Sequence, residues 1–595
     1  MQSDHDSQYT NDRHLGAVFF RRVAELGDRT FLKLQRGEGY EEISWRELGT
    51  TVQNALLALY AMGLEPGERV AIVGENSLQW LCADLATLAG GLTNVIVSPA
   101  LSDLALLKIL GHSRCRAAFV QNETGVGRLL NLKSQLPALS HIIVTEGAGS
   151  DLPDTLSFAR LVERGARVAE GRLFEILESV HGNDLATIMY TSGSTGEPKG
   201  VMRTQDNLLS NISNGNAIVR AAPDELFIIV LSLNHLFGRF GFLKSAVTGR
   251  TTAIIEATEL ELNVKLLERL AGTSLAVVPR VMERIWQTIL QQGGNSELWD
   301  QLEKLNGKKT ALGHLSDGEN RQFDELRATL KEVFKKSLGG RLKYISYAGA
   351  AMPPRIMKFF ALIGMPLIGS YGSTECGGVT LSGIGDTKPG GLGKPFPNCE
   401  LRIAEDGELL VRGPTVTPGY FENPEATREA IDSEGWFHTG DLGAIDADGC
   451  LFITGRKKDI FNCSDGSNIY PGYIELLIEN DPFVRQAILL GDRRAFIASL
   501  IVPERKKIAG ELHKEESALT ETEIASALQP RIDQINARLE QFEKIRKFAV
   551  IPNDFSDEVR TVTVFEKIKI DRKAVEQRYQ KEIAKIYGLA GERGA

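Results

Sequence analysis

Cysteine is scarce in this sequence of 595 residues, and its six cysteines follow no recognisable spacing. They are scattered along the chain and include no C-x-x-C pair, so neither a disulfide framework nor a zinc site of the usual spacing is indicated. We therefore expect free thiols in a reducing, cytoplasmic setting.

Long apolar runs are absent as well. The longest apolar stretch, from Leu85 to Val97, is interrupted by two glycines and by Asn94. It falls short of the roughly 20 residues that a membrane-spanning helix needs. The amino-terminal segment is polar and acidic, which is unlike a secretory signal. These features predict a soluble cytoplasmic protein, for which peripheral contact with the inner membrane surface stays open.

The chain also has no excess of positive charge. It carries 68 Lys and Arg against 77 Asp and Glu, and the net charge of -9 would repel the phosphates of a nucleic acid. A nucleic-acid partner is therefore disfavoured. Apolar residues make up 43% of the chain, so its length provides material for several packed units rather than one.

Short β-branched runs alternate with amphipathic stretches in two parts of the chain. Examples are Val70-Ala-Ile-Val and Ala117-Ala-Phe-Val in the first part, and Leu275-Ala-Val-Val in the second. This rhythm is typical of βαβ units around a parallel sheet, so two such sheets are predicted. The segment from Ser296 to Ser337 is rich in Glu, Lys, Leu and Gln at helical spacing, which predicts a solvated helical insertion.

The pattern changes after Gly391, where Asp-Gly pairs separate alternating runs and predict hairpins. A smaller unit follows, with strands such as Gln486-Ala-Ile-Leu-Leu and a helix predicted from Arg531 to Lys547, opened by Pro530. The predicted fold class is therefore α/β. A large N-terminal domain, residues 1–455, has two βα-repeat sheets plus a small β-rich subdomain, and a small mobile α+β C-terminal domain, residues 456–595, follows.

The strongest chemical signal is Thr191-Ser-Gly-Ser-Thr-Gly-Glu-Pro-Lys-Gly200, which directly follows the strand-like Ala186-Thr-Ile-Met-Tyr190. Its glycines let backbone N–H groups turn inward as an anion nest, its hydroxyls add donors, and Lys199 adds a positive charge. A flexible Gly/Ser linker is the alternative, but a linker needs no Pro-Lys-Gly and would not follow a buried strand. We predict that this segment, the cradle, binds phosphate, although the chain lacks a Walker loop.

The cradle resembles the phosphate-binding signature of the adenylate-forming superfamily (AMP-binding enzymes), which includes acyl-CoA synthetases, peptide synthetase adenylation domains and luciferases. The resemblance extends over roughly Phe20 to Tyr587, and the stretch from Gly393 to Asp459 most resembles long-chain fatty acyl-CoA synthetases. It implies binding of ATP and of magnesium, with Thr195 among the metal ligands. The implied phosphate-binding residues are Thr191, Ser192, Gly193, Ser194, Thr195, Gly196 and Lys199.

Tyr371-Gly-Ser-Thr-Glu375 resembles the second motif of this family. The resemblance implies that Tyr371 stacks on adenine beside Gly372. It also implies that Thr374 contacts phosphate and that Glu375 binds magnesium, both as part of the catalytic machinery. A turn between a strand and a loop is the alternative, and the position of the motif about 180 residues after the cradle argues for the resemblance.

A third segment, Gly349-Ala-Ala-Met352, resembles the part of these enzymes that lies along adenine. It implies cofactor contacts from Gly349, Ala350 and Ala351. Taken alone, the same residues would only indicate the start of a helix.

Trp436-Phe-His-Thr-Gly-Asp441 resembles the ribose-binding motif of the family. The resemblance implies that Asp441 holds both ribose hydroxyls, and a carboxylate suits a diol because two acceptor oxygens face two O–H donors. A plain hairpin turn is the alternative. Gly455-Arg-Lys-Lys-Asp459 resembles the hinge segment, which implies that Arg456 contacts ribose and that the small domain rotates about Lys458.

Lys567-Ile-Lys-Ile-Asp-Arg572 resembles a degenerate form of the stretch that carries the family's catalytic lysine. Lys569 is assigned that role because Ile570 and Arg572 then fall in register. Lys567 is a rival cation, since Ile568 stands where glycine is usual. A solvated basic strand or turn is the alternative.

His235 stands where long-chain members carry a histidine beside the acyl and phosphate sites, which implies a catalytic role. A hydrogen-bonded core histidine fits the same pattern.

The resemblance as a whole implies an AMP-forming ligase. It would activate a fatty acid, with long chains expected, as acyl-AMP with release of pyrophosphate, and then pass the acyl group to coenzyme A. A slim loop around Gly466 favours coenzyme A as the acceptor. The alternatives are a ligase that loads an acyl carrier protein or stops at the adenylate, an enzyme acting on a non-fatty carboxylic acid, an adenylate-oxidising enzyme of the luciferase kind, and a non-catalytic nucleotide-binding scaffold.

Overall fold

The computed structural model describes residues 14–37, 39–147, 154–169, 171–192, 197–255, 264–463, 468–479, 481–552, 555, 560–562, 568–570 and 572–588. Over these ranges, two large sheets with flanking helices come first, and smaller sheets follow. This arrangement confirms the predicted α/β class, with parallel βα repeats in a large N-terminal domain and a smaller C-terminal domain. A domain boundary between residues 455 and 456 stays a prediction.

The first part of the chain consists of α1 (Leu15–Leu26), β1 (Thr30–Arg36), β2 (Gly39–Ser44), α2 (Trp45–Ala61), β3 (Arg69–Val73), α3 (Leu78–Ala89), β4 (Thr93–Val97), α4 (Asp103–Ser113), β5 (Ala117–Val120), α5 (Glu123–Leu132), β6 (His141–Val144), β7 (Thr155–Ser157), α6 (Phe158–Gly165), α7 (Gly171–Ser179), β8 (Leu185–Ser192) and β9 (Pro198–Thr204). One sheet has the order β7-β6-β5-β3-β4-β8-β9. Its strands pair in parallel except β8 and β9, which are antiparallel. Strands β3, β4 and β5 are almost wholly buried, as their apolar runs predict.

The second part consists of α8 (Gln205–Ile218), β10 (Leu226–Ile229), α9 (Leu236–Thr248), β11 (Thr251–Ile254), α10 (Val264–Leu270), β12 (Ser274–Val277), α11 (Pro279–Leu290), α12 (Asn295–Leu312), α13 (Asp317–Ser337), β13 (Tyr344–Tyr347), α14 (Pro354–Ile363), β14 (Leu367–Ser373), β15 (Gly377–Leu381) and β16 (Lys394–Pro395). The second sheet has the order β16-β15-β14-β13-β12-β10-β11-β1-β2. Pairing is parallel from β1 through β14 and antiparallel at both ends.

Helices α12 and α13 confirm the predicted helical insertion, but its description as solvated is only partly right. Trp299 and Phe334 are buried, and each packs its ring against Phe359 of α14, at centroid distances of 5.0 and 5.3 Å. The insertion therefore contributes one face to the core of the second sheet. Among the described residues, no helix combines the length and the apolar composition that crossing a membrane would require.

The β-rich part consists of β17 (Glu400–Ile403), β18 (Glu408–Arg412), α15 (Pro424–Ala430), β19 (Phe437–Ile445) and β20 (Leu451–Arg456). Its strands form an antiparallel sheet in chain order. Gly407 and Gly449 have φ angles of 81° and 83°, which are accessible to glycine at little cost. The hairpins predicted from the Asp-Gly pairs are thus confirmed.

The last part consists of β21 (Phe461–Asn462), β22 (Asn468–Ile469), α16 (Pro471–Glu479), β23 (Val484–Leu490), β24 (Ile497–Pro503), α17 (Arg505–Leu512), α18 (Glu521–Asn536), β25 (Ile545–Val550), β26 (Arg560–Val562), β27 (Ile568–Ile570), α19 (Arg572–Arg578) and α20 (Gln580–Tyr587). The sheet order β23-β24-β25 provides its core.

The helix predicted from Arg531 to Lys547 is wrong in both of its limits. Helix α18 begins ten residues earlier, at Glu521, because Thr520 and Glu523 form a reciprocal capping box. Pro530 lies inside this helix and does not open it. The helix ends where the Asn536 amide exchanges two hydrogen bonds, of 2.9 and 2.8 Å, with the backbone of Ile545, the first residue of β25.

Candidate active site

The described ends of the cradle belong to two antiparallel strands. Strand β8 runs into it through Thr191 and Ser192, and β9 leaves it at Pro198, with Thr191 paired opposite Lys199. Gly193, Ser194, Thr195 and Gly196 lie outside the described residues, and of Ser192 only the backbone is described. Glu197, the residue before β9, forms a 2.8 Å ion pair with Lys108 of α4.

The predicted magnesium ligand Glu375 lies in the turn that follows β14. The Ser373 hydroxyl accepts hydrogen bonds of 3.2 Å from the backbone N–H groups of Glu375 and Cys376, which fixes this turn. Gly372 is required here, because a Cβ at this position would stand 2.1 Å from the carbonyl oxygen of Gly377. A carboxylate on a fixed turn suits Mg²⁺, which proteins hold through one or two carboxylates together with substrate phosphates.

Tyr420 connects this turn to the cradle. Its hydroxyl donates a 3.2 Å hydrogen bond to Glu375, and the ammonium of Lys199 lies 5.1 Å from the centre of its ring. Burial and the neighbouring Glu375 raise the pKa of Tyr420, so the hydroxyl stays a donor at neutral pH. Lys199 and Glu375, two predicted site residues of opposite charge, therefore both contact the side chain of Tyr420.

The expected ribose site joins three of the predicted residues. The Tyr371 hydroxyl donates a 2.6 Å hydrogen bond to one oxygen of Asp441, and Nε of Arg456 lies 3.0 Å from the other. Asp441 and Arg456 are directly paired across β19 and β20. Burial and the Asp441 carboxylate raise the pKa of Tyr371 well above its usual value. Each carboxylate oxygen has a second lone pair, so Asp441 can still accept from a diol.

Gly349, Ala350 and Ala351 form an exposed segment after β13. Strand β13 pairs in parallel with β14, the strand that carries Tyr371, so both segments leave the sheet at the same edge. Ligands of α/β proteins bind at the carboxyl edge of parallel strands. This position suits the predicted contact with adenine.

His235 immediately precedes α9 and lines a small cavity with Ser98, Met189, Tyr190 and Asn234. Tyr190 is the last residue before the cradle, so this cavity adjoins the expected phosphate site. The location agrees with the predicted catalytic neighbourhood, and the catalytic role of His235 itself stays a prediction.

The structure describes the predicted hinge and the predicted catalytic lysine less completely. Lys458 lies in a short helical turn, Lys457–Asp459, directly after β20. The backbone of Lys569 lies in β27 opposite Thr561, but its side chain is outside the described part of the chain. Gly466 and Lys567 are likewise outside it.

Sequence reasoning did not identify Tyr420, Arg203 or Glu408 as part of this region. Glu408, on β18, accepts a 2.8 Å hydrogen bond from the backbone of Gly440 and lies 2.9 Å from the ammonium of Lys457. It therefore steadies the turn before Asp441 and the residue before Lys458. The only local signal for these residues is their nearness in sequence to a motif or a hairpin.

Comparison with known proteins identifies the family of this chain. Residues 19–421 match the family model described as AMP-binding enzyme, and residues 458–590 match the model described as AMP-binding enzyme C-terminal domain. The long-chain-fatty-acid–CoA ligase FadD15 of Mycobacterium bovis is 30% identical over 572 residues, which cover 92% of each chain.

Two solved structures share the fold. The anthranilate CoA ligase AuaEII in complex with anthranoyl-AMP aligns with a TM-score of 0.72 at 19% identity, covering 96% of this chain and 98% of that one. The A domain of the carboxylic acid reductase from Segniliparus rugosus, in complex with AMP and a co-purified carboxylic acid, aligns with a TM-score of 0.71 at 21% identity, covering 98% and 96%.

Proposed function

Because the chain belongs to the AMP-binding enzyme family, we propose that it is an AMP-forming ligase that converts a fatty acid, of long chain, to acyl-AMP and then to acyl-CoA. ATP and coenzyme A are its proposed co-substrates, and magnesium accompanies the ATP. The assignment of a fatty acid and of coenzyme A rests on the name of the relative that is 30% identical over 92% of the chain.

One observation of the structure supports nucleotide activation above all. Tyr371 and Glu375 belong to one five-residue motif, and they contact Asp441 and Tyr420, respectively. Asp441 is the expected ribose acceptor, and Tyr420 lies beside Lys199 of the cradle. A nucleoside and its phosphates would therefore find their expected partners side by side along this motif.

The first half-reaction needs control of charge more than it needs proton transfer. A fatty carboxylate is ionised at pH 7, so its attack on the α-phosphorus requires no general base. Two anions must nevertheless approach each other while pyrophosphate leaves, and fixed cations and donors stabilise that arrangement. Lys199 and the backbone of the cradle are proposed to hold the phosphates, and Glu375 to hold the magnesium that neutralises them. Lys569 is proposed to supply the remaining cation.

The second half-reaction is the attack of a thiol on a mixed anhydride whose leaving group, AMP, is good. It requires access of the thiol more than further activation. In the proposed cycle, the part of the chain after Lys458 moves about this hinge once the adenylate has formed and admits coenzyme A.

A screen of pyrophosphate release tests the proposal. The purified protein is supplied with magnesium and ATP and with acids of several classes, with and without coenzyme A, and products are identified by mass spectrometry. We expect acyl-CoA from long-chain acids and trapped acyl-AMP without the thiol. Accumulation of acyl-AMP in the presence of coenzyme A would favour the alternative acceptor, an acyl carrier protein. Turnover of aromatic or short acids only would overturn the fatty-acid assignment.

A further inference from the structure

Arg203 is a buried cation directly beneath the turn that carries Glu375. It lies on β9, four residues after Lys199, and none of its surface is exposed to solvent. Burial lowers the pKa of Arg203 to about 10, with Cys376 and Glu375 opposing that effect, so the side chain is charged at neutral pH. The protein thus keeps a full positive charge in its interior next to the expected metal ligand.

Within the described residues, every hydrogen bond of the guanidinium group goes to a backbone carbonyl oxygen. Nε and Nη2 both donate to the carbonyl oxygen of Thr374, at 3.2 and 2.6 Å, and Nη1 donates to that of Thr415 at 2.5 Å. This double hydrogen bond fixes the peptide group between Thr374 and Glu375. The carbonyl of Glu375 in turn accepts a 2.7 Å hydrogen bond from the backbone of Thr417, so both sides of this residue are held.

The turn is shaped to fit around this side chain. Gly377 has a φ of 66°, and a Cβ there would stand 3.3 Å from Nη2 of Arg203 and 2.6 Å from the amide nitrogen of Asn211. The absence of a side chain at Gly377 lets the chain fold closely over the guanidinium group. Asn211 then holds the next residue through a 2.8 Å hydrogen bond to the carbonyl of Gly378.

Stability alone is a poor reason for this arrangement. A buried charge carries a large desolvation penalty, and apolar replacements of buried charged groups are often neutral or stabilising. Arg203 donates to carbonyl oxygens, whereas another buried arginine, Arg239, forms a 2.6 Å ion pair with Asp84. Arg203 instead makes its hydrogen bonds with the backbone of the turn that carries Glu375, whose carboxylate favours the charge of Arg203.

We propose that Arg203 is a positioning residue for magnesium-ATP. It holds the peptide group before Glu375, so that the carboxylate would meet the metal without rearrangement. This inference rests on the proposed function for the identity of the ligand. Binding of ATP in the presence of magnesium should therefore depend on Arg203 more than binding of AMP does.

Two substitutions separate hydrogen bonding from charge. Arg203→Gln keeps an N–H donor and removes the charge, whereas Arg203→Lys keeps the charge and loses the forked geometry. Arg250→Gln is the matched control, because Arg250 is also buried and charged but contacts Ser245 and the ring of Phe227. Isothermal titration calorimetry measures binding of ATP with magnesium, of ATP with EDTA, and of AMP, and thermal unfolding reports the fold of each variant.

We expect Arg203→Gln to weaken binding of magnesium-ATP by roughly tenfold more than binding of metal-free ATP or AMP, since charge-assisted contacts are the strong ones. Arg203→Lys should recover part of that loss. Arg250→Gln should leave the ratio of magnesium-ATP affinity to AMP affinity unchanged even if it lowers the unfolding temperature.

Equal weakening of binding of all three ligands by both Arg203 variants would overturn the proposal and leave Arg203 a support of the fold. If Arg203→Gln does not fold, the same comparison with Arg203→Lys decides. Absence of pyrophosphate release in the wild-type protein would contradict the proposed function alone, because the binding ratio is measured without turnover.

Discussion

The hydroxyl of Tyr371 and the carboxylate of Asp441 are 70 residues apart in the sequence and 2.6 Å apart in the structure. Their hydrogen bond joins the strand that carries Tyr371, the expected adenine contact, to the strand that carries the expected ribose acceptor. Both side chains are buried, at 7% and 6% exposure, so the bond is shielded from water. It orients Asp441 before any nucleotide arrives.

Removal of this hydroxyl should weaken binding of the nucleoside part of the ligand. Tyr371→Phe keeps the ring and leaves the Asp441 oxygen without its donor. We expect affinity for AMP to fall by roughly tenfold, the usual scale for a hydrogen bond to a charged group, with the response to magnesium unchanged. Calorimetric titration of AMP measures the effect. Unchanged AMP affinity would mean that Asp441 is oriented by Arg456 alone.

Glu375→Gln should change the response to magnesium and leave AMP binding nearly unchanged, which is the reverse of the effect expected for Tyr371→Phe. One negative charge is lost beside the proposed metal while the hydrogen bond from Tyr420 can be kept, so the fold is spared. We expect the magnesium concentration needed for half-maximal pyrophosphate exchange to rise by roughly tenfold or more, with little change in AMP binding. Equal losses for magnesium-ATP and AMP would assign Glu375 to the adenosine site or to the fold. Tyr371→Phe is the paired control.

Lys569→Ala should abolish adenylation and spare thioester formation. The lysine is proposed to stabilise charge at the α-phosphorus, which matters only in the first half-reaction. With chemically prepared acyl-AMP and coenzyme A, the variant should make acyl-CoA at nearly the wild-type rate. Lys567→Ala is the matched control two residues away. If pyrophosphate exchange survives in Lys569→Ala and is lost in Lys567→Ala, the assignment is wrong by two residues.

Glu479, on α16, predicts a pH dependence of stability. Burial raises its pKa from 4.5 to about 7; Glu475 and Glu283 add to the rise, while the backbone N–H of Ala487 and the charge of Arg355 oppose it. The folded protein binds this proton more tightly than the unfolded chain does. The stabilisation of the folded protein by this tighter proton binding is therefore complete below pH 4.5. It decreases as the pH rises toward 7 and is absent above 7.

Glu479→Gln should remove that dependence. We expect the variant to be more stable than wild type by about 3 kcal/mol at pH 8 and about equally stable at pH 4.5, as measured by denaturant unfolding. Glu523→Gln provides a control of opposite sign, because Lys514 and the hydrogen bonds from the backbone and hydroxyl of Thr520 lower the pKa of Glu523 to about 2. A parallel pH profile for Glu479→Gln and wild type would show that Glu479 is solvated in the folded state.

Local patterns predicted most of the fold and the motifs of the site. Apolar runs such as Val70-Ala-Ile-Val become buried strands because the side chains of a parallel sheet are covered on both faces. The predicted start of α18 is wrong because Pro530 imitates an opening signal, while the capping box at Thr520 and Glu523 starts the helix ten residues earlier. Arg203 and Tyr420 were missed for another reason. Their partners lie 171 and 45 residues away, and no local pattern encodes such contacts.

Strand β9 separates the cradle from the next helix, and this separation affects how strongly the cradle would hold a phosphate. In a loop that leads straight into a helix, the helix dipole contributes partial positive charge to the anion. Here β9 intervenes, and α8 begins at its far end, about 20 Å away at the usual rise per strand residue. This helix adds nothing at that range, because its dipole acts only within its first turn. The proposed binding of phosphate would therefore receive no help from a helix dipole, and we expect it to depend on free magnesium and on ionic strength more than binding at a helix N-terminus does.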